Sequence, residues 1–122
     1  MGVRPITVAE TPLFVRQADD VWDVIERDEF VDFIARNPEV GDGIPDTGGV
    51  RKVRWRRAGT GKRGGVRVVY FYYDPDSPLY LLMVYAKAER EDMTPDEKKA
   101  VRKLTVVLKT AAQNRRPQGG RR

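Results

Sequence analysis

The run Val66 to Tyr73, VRVVYFYY, constrains this chain most: every residue but Arg67 is β-branched or aromatic, which predicts a strand. A strand needs partners, and the sequence supplies one on each side. From Val50 the apolar period is two, so Val53 and Trp55 point one way while Lys52, Arg54 and Arg56 point the other. Asp74-Pro75-Asp76-Ser77-Pro78 is turn chemistry, and Leu79 to Lys87 is a third apolar run. Three strands with short connections make an antiparallel meander. On the central strand Tyr70 and Tyr72 share one face, and Arg67, Phe71 and Tyr73 share the other. The pattern leaves open which face looks outward.

The flanks read as helices. After a short strand over Arg4 to Ala9, Thr11-Pro12 supplies an N-cap and a first-turn proline. Phe14, Ala18, Val21, Trp22 and Ile25 recur at helical spacing, predicting a helix from Pro12 to about Glu26. Asp28 caps a second helix that buries Phe30, Phe33 and Ile34 and closes at Asn37-Pro38, because the residue before proline is pushed out of the helical region. Pro38 to Gly49 is a connection rich in Gly, Pro and Asp. Thr94-Pro95-Asp96-Glu97 has capping-box spacing and opens a last helix, with Val101, Leu104, Val107, Leu108 and Ala111 as its stripe. The expectation is an α+β fold of order β-α-α-β-β-β-α: an antiparallel meander packed against an N-terminal helical hairpin, plus a C-terminal helix. It forms one domain over residues 1–113, with a disordered basic tail over 114–122.

Charge is concentrated. The chain has 23 Lys plus Arg against 18 Asp plus Glu, and eight of the 23 lie between Gly48 and Arg67, where there is no acid. Without that stretch the balance is 15 against 18, so the net +5 belongs to one segment. A local basic surface points to a polyanionic partner. With no cysteine and no histidine, thiolate chemistry, disulfides and the commonest acid–base group are excluded. The carboxylates Asp19, Asp20 and Asp23, and Glu89, Glu91 and Asp92, fall in local runs, which suits solvation and capping better than a metal. No metal or cofactor is expected. Gly59, Gly61 and Gly64 satisfy G-x-G-x-x-G, but a strand follows them where a dinucleotide site needs a helix. No apolar run reaches the ~20 residues of a membrane span and no signal-peptide pattern opens the chain, so a cytoplasmic protein is expected.

Three stretches carry a family likeness: Gly48-Gly49-Val50-Arg51-Lys52-Val53-Arg54-Trp55; Gly61-Lys62-Arg63-Gly64-Gly65-Val66-Arg67-Val68-Val69-Tyr70; and Leu81-Leu82 with Tyr85-Ala86-Lys87-Ala88-Glu89. Together they resemble the RelE/HigB-type toxins of type II toxin–antitoxin systems, in the RelE/ParE superfamily, over roughly Ile6 to Leu108. The resemblance implies a metal-independent, ribosome-dependent mRNA endoribonuclease (an mRNA interferase) that inhibits translation. In it the ribose 2′-OH attacks the adjacent phosphate and cations stabilise the phosphorane. It implies catalytic roles for Lys52, Arg54, Arg67 and Lys87. RNA or ribosome contacts would come from Arg51, Arg56, Arg57, Lys62, Arg63, Tyr70 and Arg90. It also implies a cognate antitoxin, HigA-like or other, from an adjacent gene, with ribosome and mRNA as further partners and no membrane. Ala88 and Thr94 stand where the RelE pattern has an arginine and a tyrosine base. Tyr70, Tyr85, Glu89 or a lysine are then the candidates for proton transfer. The alternatives are a ParE-like DNA gyrase inhibitor and a catalytically inactive RNA-binding relative.

Overall fold

Two hydrophobic layers sit on opposite faces of one sheet in the computed structural model, which describes residues 5–57 and 65–115. In chain order the elements are β1 (Val8–Glu10), α1 (Pro12–Val21), α2 (Val24–Arg36), β2 (Asp42–Gly43), β3 (Val50–Trp55), β4 (Val66–Phe71), β5 (Leu79–Ala86) and α3 (Pro95–Arg115). The sheet order is β1-β5-β4-β3-β2. The meander β3-β4-β5 is antiparallel, β2 pairs antiparallel with β3, and β1 runs parallel to β5. The fold is α+β, as expected. The addition is β2, a two-residue edge inside the glycine-rich connection, which sets Asp42 opposite Lys52.

On one face Phe14, Ala18, Trp22, Phe30 and Ile34 of the helical hairpin meet Val66, Val68, Tyr70 and Leu81, with Val53 and Trp55 packed alongside. On the other, Val50, Val69, Phe71 and Met83 meet Val101 of α3, with Leu104 and Leu108 beside them. A fully buried Phe or Ile stabilises by about 1.5–3 kcal/mol over an exposed one, so these two layers hold the sheet. The open question of the central strand is thereby answered: Tyr70 and Tyr72 face the hairpin, while Phe71 and Tyr73 face α3. A bulge between Val69 and Tyr70, where the partner register skips Leu82, puts the consecutive Leu82 and Met83 both in the α3 layer. Gln17 of α1 covers the irregularity, its Oε1 accepting the Val84 N–H at 3.0 Å.

Three helix boundaries differ from the pattern, and β4 and β5 stop short of the expected Tyr73 and Lys87. α1 stops at Val21, with Trp22 in extended conformation, and α2 starts after Asp23 rather than Asp28. The reason is a capping box. Glu26 N donates to Asp23 Oδ1 (2.8 Å) and Asp23 N to Glu26 Oε1 (3.0 Å). Ile25 consequently lands on the outside, 69 % exposed. On α3 the buried positions are Val101, Thr105 and Ala112, so Val107 and Ala111 leave the expected stripe. Thr105 reaches the buried seam because its hydroxyl donates to Thr47 O at 2.9 Å. The helix also runs through Arg115, past the expected tail start at Asn114. The remaining tail, with Lys62, Arg63 and the G-x-G-x-x-G glycines, lies outside the described residues.

Candidate active site

Alternation along β3 sends Lys52 and Arg54 to the α3 side of the sheet, opposite in direction to Val53 and Trp55. β4 contributes Arg67 on the same side, and its register sets Arg54 directly opposite Arg67 and Arg67 opposite Tyr85 on β5. Lys87 follows the end of β5, its N–H donating to Gly65 O at 3.1 Å, so the start of β4 fixes where Lys87 emerges. These four cations line one open hollow of about 540 Å³ with Val40, Asp42, Val53 and Glu91. None of its lining residues belongs to α3. Arg67 is 8 % exposed, and its guanidinium donates to its neighbour's carbonyl, Val66 O, at 3.3 Å.

Carboxylates from the β5–α3 connection and the first turn of α3 meet basic side chains. Lys87 Nζ is 3.3 Å from Glu91 Oε2, Lys52 Nζ is 3.4 Å from Asp92 Oδ1, and Arg90 Nη1 is 2.6 Å from Glu97 Oε1. Asp92 is held below the usual carboxylate range, chiefly by the Met93 N–H and then by Lys52. Burial pushes Glu97 up, but the bonds from Arg90 and Thr94 outweigh it and leave the carboxyl lowered. That pair of Thr94 bonds is the expected capping box, with Thr94 N to Glu97 Oε1 at 2.9 Å and Glu97 N to Thr94 Oγ1 at 3.1 Å. Arg90 also lies over the Tyr85 ring, 4.5 Å from its centroid. Burial pushes the Tyr85 phenol up and Asp92 adds to this, against the pull of Arg90 and Arg67.

The four residues expected to be catalytic, Lys52, Arg54, Arg67 and Lys87, come together. The expected RNA contacts among the described residues do not join them, and Lys62 and Arg63 lie outside the described residues. Tyr70 is the clearest correction: it is 0 % exposed on the hairpin face, its hydroxyl donating to Pro38 O (2.9 Å) and accepting from Gly41 N (2.8 Å). A buried ring cannot stack on a base. Arg51 points to the hairpin side and donates to Glu39 O (2.9 Å) and Gly41 O (3.0 Å). Arg56, expected beside Lys52 and Arg54, instead crosses to α2: β3 has ended at Trp55, and the guanidinium sits 4.6 Å from the Trp55 ring and 3.3 Å from Glu29. Trp22 Nε1 anchors this exit by donating to Arg56 O at 3.0 Å. Arg57 turns toward Asp20 O at 3.5 Å. Arg90 is tied to Glu97 outside the hollow.

Sequence reasoning passed over two residues at the site, Asp42 and Glu91. The Lys87-x-x-x-Glu91 spacing was a signal for the second, since it sets opposite charges four residues apart.

Four cations and two carboxylates in one solvent-open hollow suit a phosphodiester: the cations hold its oxygens, and the carboxylates can accept a proton. A family model described as RelE toxin of RelE / RelB toxin-antitoxin system matches residues 24–116, a span that includes every residue lining the hollow.

Proposed function

The chain belongs to the RelE toxin family of toxin–antitoxin systems, and from that premise we propose that it is an endoribonuclease that halts translation by cutting mRNA on the ribosome. Toxins of this family are generally endoribonucleases that act on translation. The observation that supports the reading here is the convergence of Lys52, Arg54, Arg67 and Lys87 on one hollow. RNA cleavage by its own 2′-OH needs an aligned nucleophile and donors aimed at the phosphoryl oxygens as charge builds on them. Arg54 and Arg67, from adjacent strands, form a guanidinium pair suited to two such oxygens. Lys52 and Lys87 flank them from β3 and the end of β5. The chemistry requires neither histidine nor metal. Arg56 and Arg57, reaching α2 and α1, add basic surface for ribosomal RNA on the helical-hairpin side, apart from the hollow. A cognate antitoxin and the ribosome are the partners this implies, and cytoplasm is the compartment that holds them.

A purified translation reaction tests this. The protein and a defined mRNA are incubated with and without ribosomes, and transcript ends are mapped. Cleavage that requires ribosomes and yields 2′,3′-cyclic phosphate ends is the expected result. Intact mRNA, with inhibition of DNA gyrase in a parallel supercoiling assay, would replace the nuclease with a gyrase inhibitor.

A further inference from the structure

The nuclease reading leaves one role open, that of the group taking the proton from the 2′-OH. The chain has no histidine. Tyr70 is on the wrong face, and Tyr85 is 4 % exposed with its hydroxyl turned to Glu91 O at 3.5 Å. Glu89 does not line the hollow, whereas Asp42 and Glu91 do. The neighbouring carboxylates are occupied: Asp92 by the Met93 N–H and Lys52, Glu97 by Arg90 and its capping box. Of the two that line the hollow, only Glu91 is within ion-pair distance of one of its four cations among the described residues.

We propose that Glu91 is the general base and Lys87 the general acid of the cleavage, the two working as one proton relay; this rests on the nuclease reading above. Their charged atoms are 3.3 Å apart, and the Glu91 side chain is 79 % exposed on the β5–α3 connection, so it swings toward a ribose without breaking a buried contact. The Glu91 carboxylate takes the 2′-OH proton as that oxygen bonds to phosphorus. The bond between phosphorus and the 5′-oxygen breaks, and the 5′-oxygen takes a proton from the Lys87 ammonium. The products are a 2′,3′-cyclic phosphate and a 5′-hydroxyl. Glu91 is left protonated and Lys87 neutral, and transfer of that proton across the pair restores both. Arg54 and Arg67 hold the phosphoryl oxygens throughout.

The charges facing Glu91 around the hollow are Lys87 after β5, Lys52 and Arg54 of β3, Arg67 of β4 and Asp42 of β2. Single-turnover cleavage of ribosome-bound mRNA is measured against pH for the parent, Glu91→Gln and Glu91→Asp, with ribosome co-sedimentation and melting temperature alongside. Glu91→Gln should bind ribosomes and melt like the parent, cut about 10²-fold or more slowly, and lose the fall in rate at acid pH. Glu91→Asp should recover part of the rate and keep that fall. Glu91→Gln cutting at the parent rate, or slowed with its acid limb intact, would overturn the proposal. Faster cleavage would overturn it too, by showing that Glu91 competes with the phosphate for Lys87. A parent protein that leaves mRNA whole would instead overturn the nuclease reading itself, and the relay with it.

Discussion

Arg54 on β3 and Arg67 on β4 are directly opposite each other in the sheet, and Arg67 is opposite Tyr85 on β5. Like charges in that relationship destabilise a strand pair by about 0.2–1 kcal/mol. A sheet shaped by stability alone would not set two guanidinium groups there, whereas a site for a doubly contacted anion would. Arg67→Ala is therefore expected to cut mRNA about 10²–10³-fold more slowly, the range for losing one transition-state donor. Ribosome co-sedimentation should change far less, since other cations share that work. A folded Arg67→Ala protein that binds and cuts like the parent would remove Arg67 from the mechanism.

Arg54 offers the converse measurement. Arg54 is exposed at the strand's end, so replacing it by a neutral side chain of similar length relieves repulsion without opening a cavity. Arg54→Gln should melt at the parent temperature or up to a few degrees above it. Its cleavage rate should nonetheless fall. A lower melting temperature would mean that Arg54 holds the fold together.

How much of this was legible beforehand follows from what each signal depends on. The strand predicted over Val66 to Tyr73 and the Thr94–Glu97 cap depend on local chemistry; the cap is where the pattern put it, and the strand forms but stops two residues short, at Phe71. Of the four cations of the hollow, alternation alone sets Lys52 and Arg54 on one face, whereas Arg67 and Lys87 join them only through the family resemblance, because cross-strand register is not written in any one strand. The second helix start was not, since Asp23 and Asp28 are both competent caps and only the reciprocal bond to Glu26 separates them. Nor was the direction of Arg56, which depends on where β3 ends and on a long-range bond from Trp22. Tyr70 and Tyr73 looked equivalent in an aromatic strand, because burial is decided by which helix layer covers which face.

Tyr70 has a structural role with its own prediction. Its hydroxyl bridges Pro38 O and the N–H of buried Gly41, pinning the connection that carries β2 to the back of β4. Tyr70→Phe leaves that N–H without its partner in a buried place. Urea unfolding should show a loss of about 1–3 kcal/mol. Cleavage per folded molecule should persist, because the ring lies on the face away from the hollow. Loss of ribosome binding in a fully folded Tyr70→Phe protein would contradict this placement.

Gly65 connects backbone geometry to the site. Its φ is +54°, and a Cβ there would stand 2.3 Å from Trp55 O. Neither the conformation nor the space admits a side chain, so Gly65→Ala must shift the β3–β4 pairing just where Gly65 O receives the Lys87 N–H. A destabilisation of about 1–3 kcal/mol or more is expected in urea unfolding, as for other overpacked backbone contacts. Cleavage should drop even where the protein remains folded. A Gly65→Ala protein that unfolds at the parent urea midpoint would show that this contact is not tight.

Stability should bend at both ends of the pH scale, for opposite reasons. Burial, the largest cause in each case, raises the phenols of Tyr70, Tyr72 and Tyr85 above the ordinary value of 10.0. A raised phenol means that the unfolded chain ionises first. The stabilisation is then whole below about pH 10 and is lost as pH climbs through the folded values. Asp92 and Glu97 are lowered from 3.8 and 4.5, so their contribution is present above those values and disappears as pH falls toward the folded ones. Urea midpoints measured across pH should give a plateau between the two limbs. Tyr85→Phe is expected to shallow the alkaline limb alone and Asp92→Asn the acid limb alone. An alkaline limb unchanged by Tyr70→Phe and Tyr85→Phe together would show that neither buried phenol carries it.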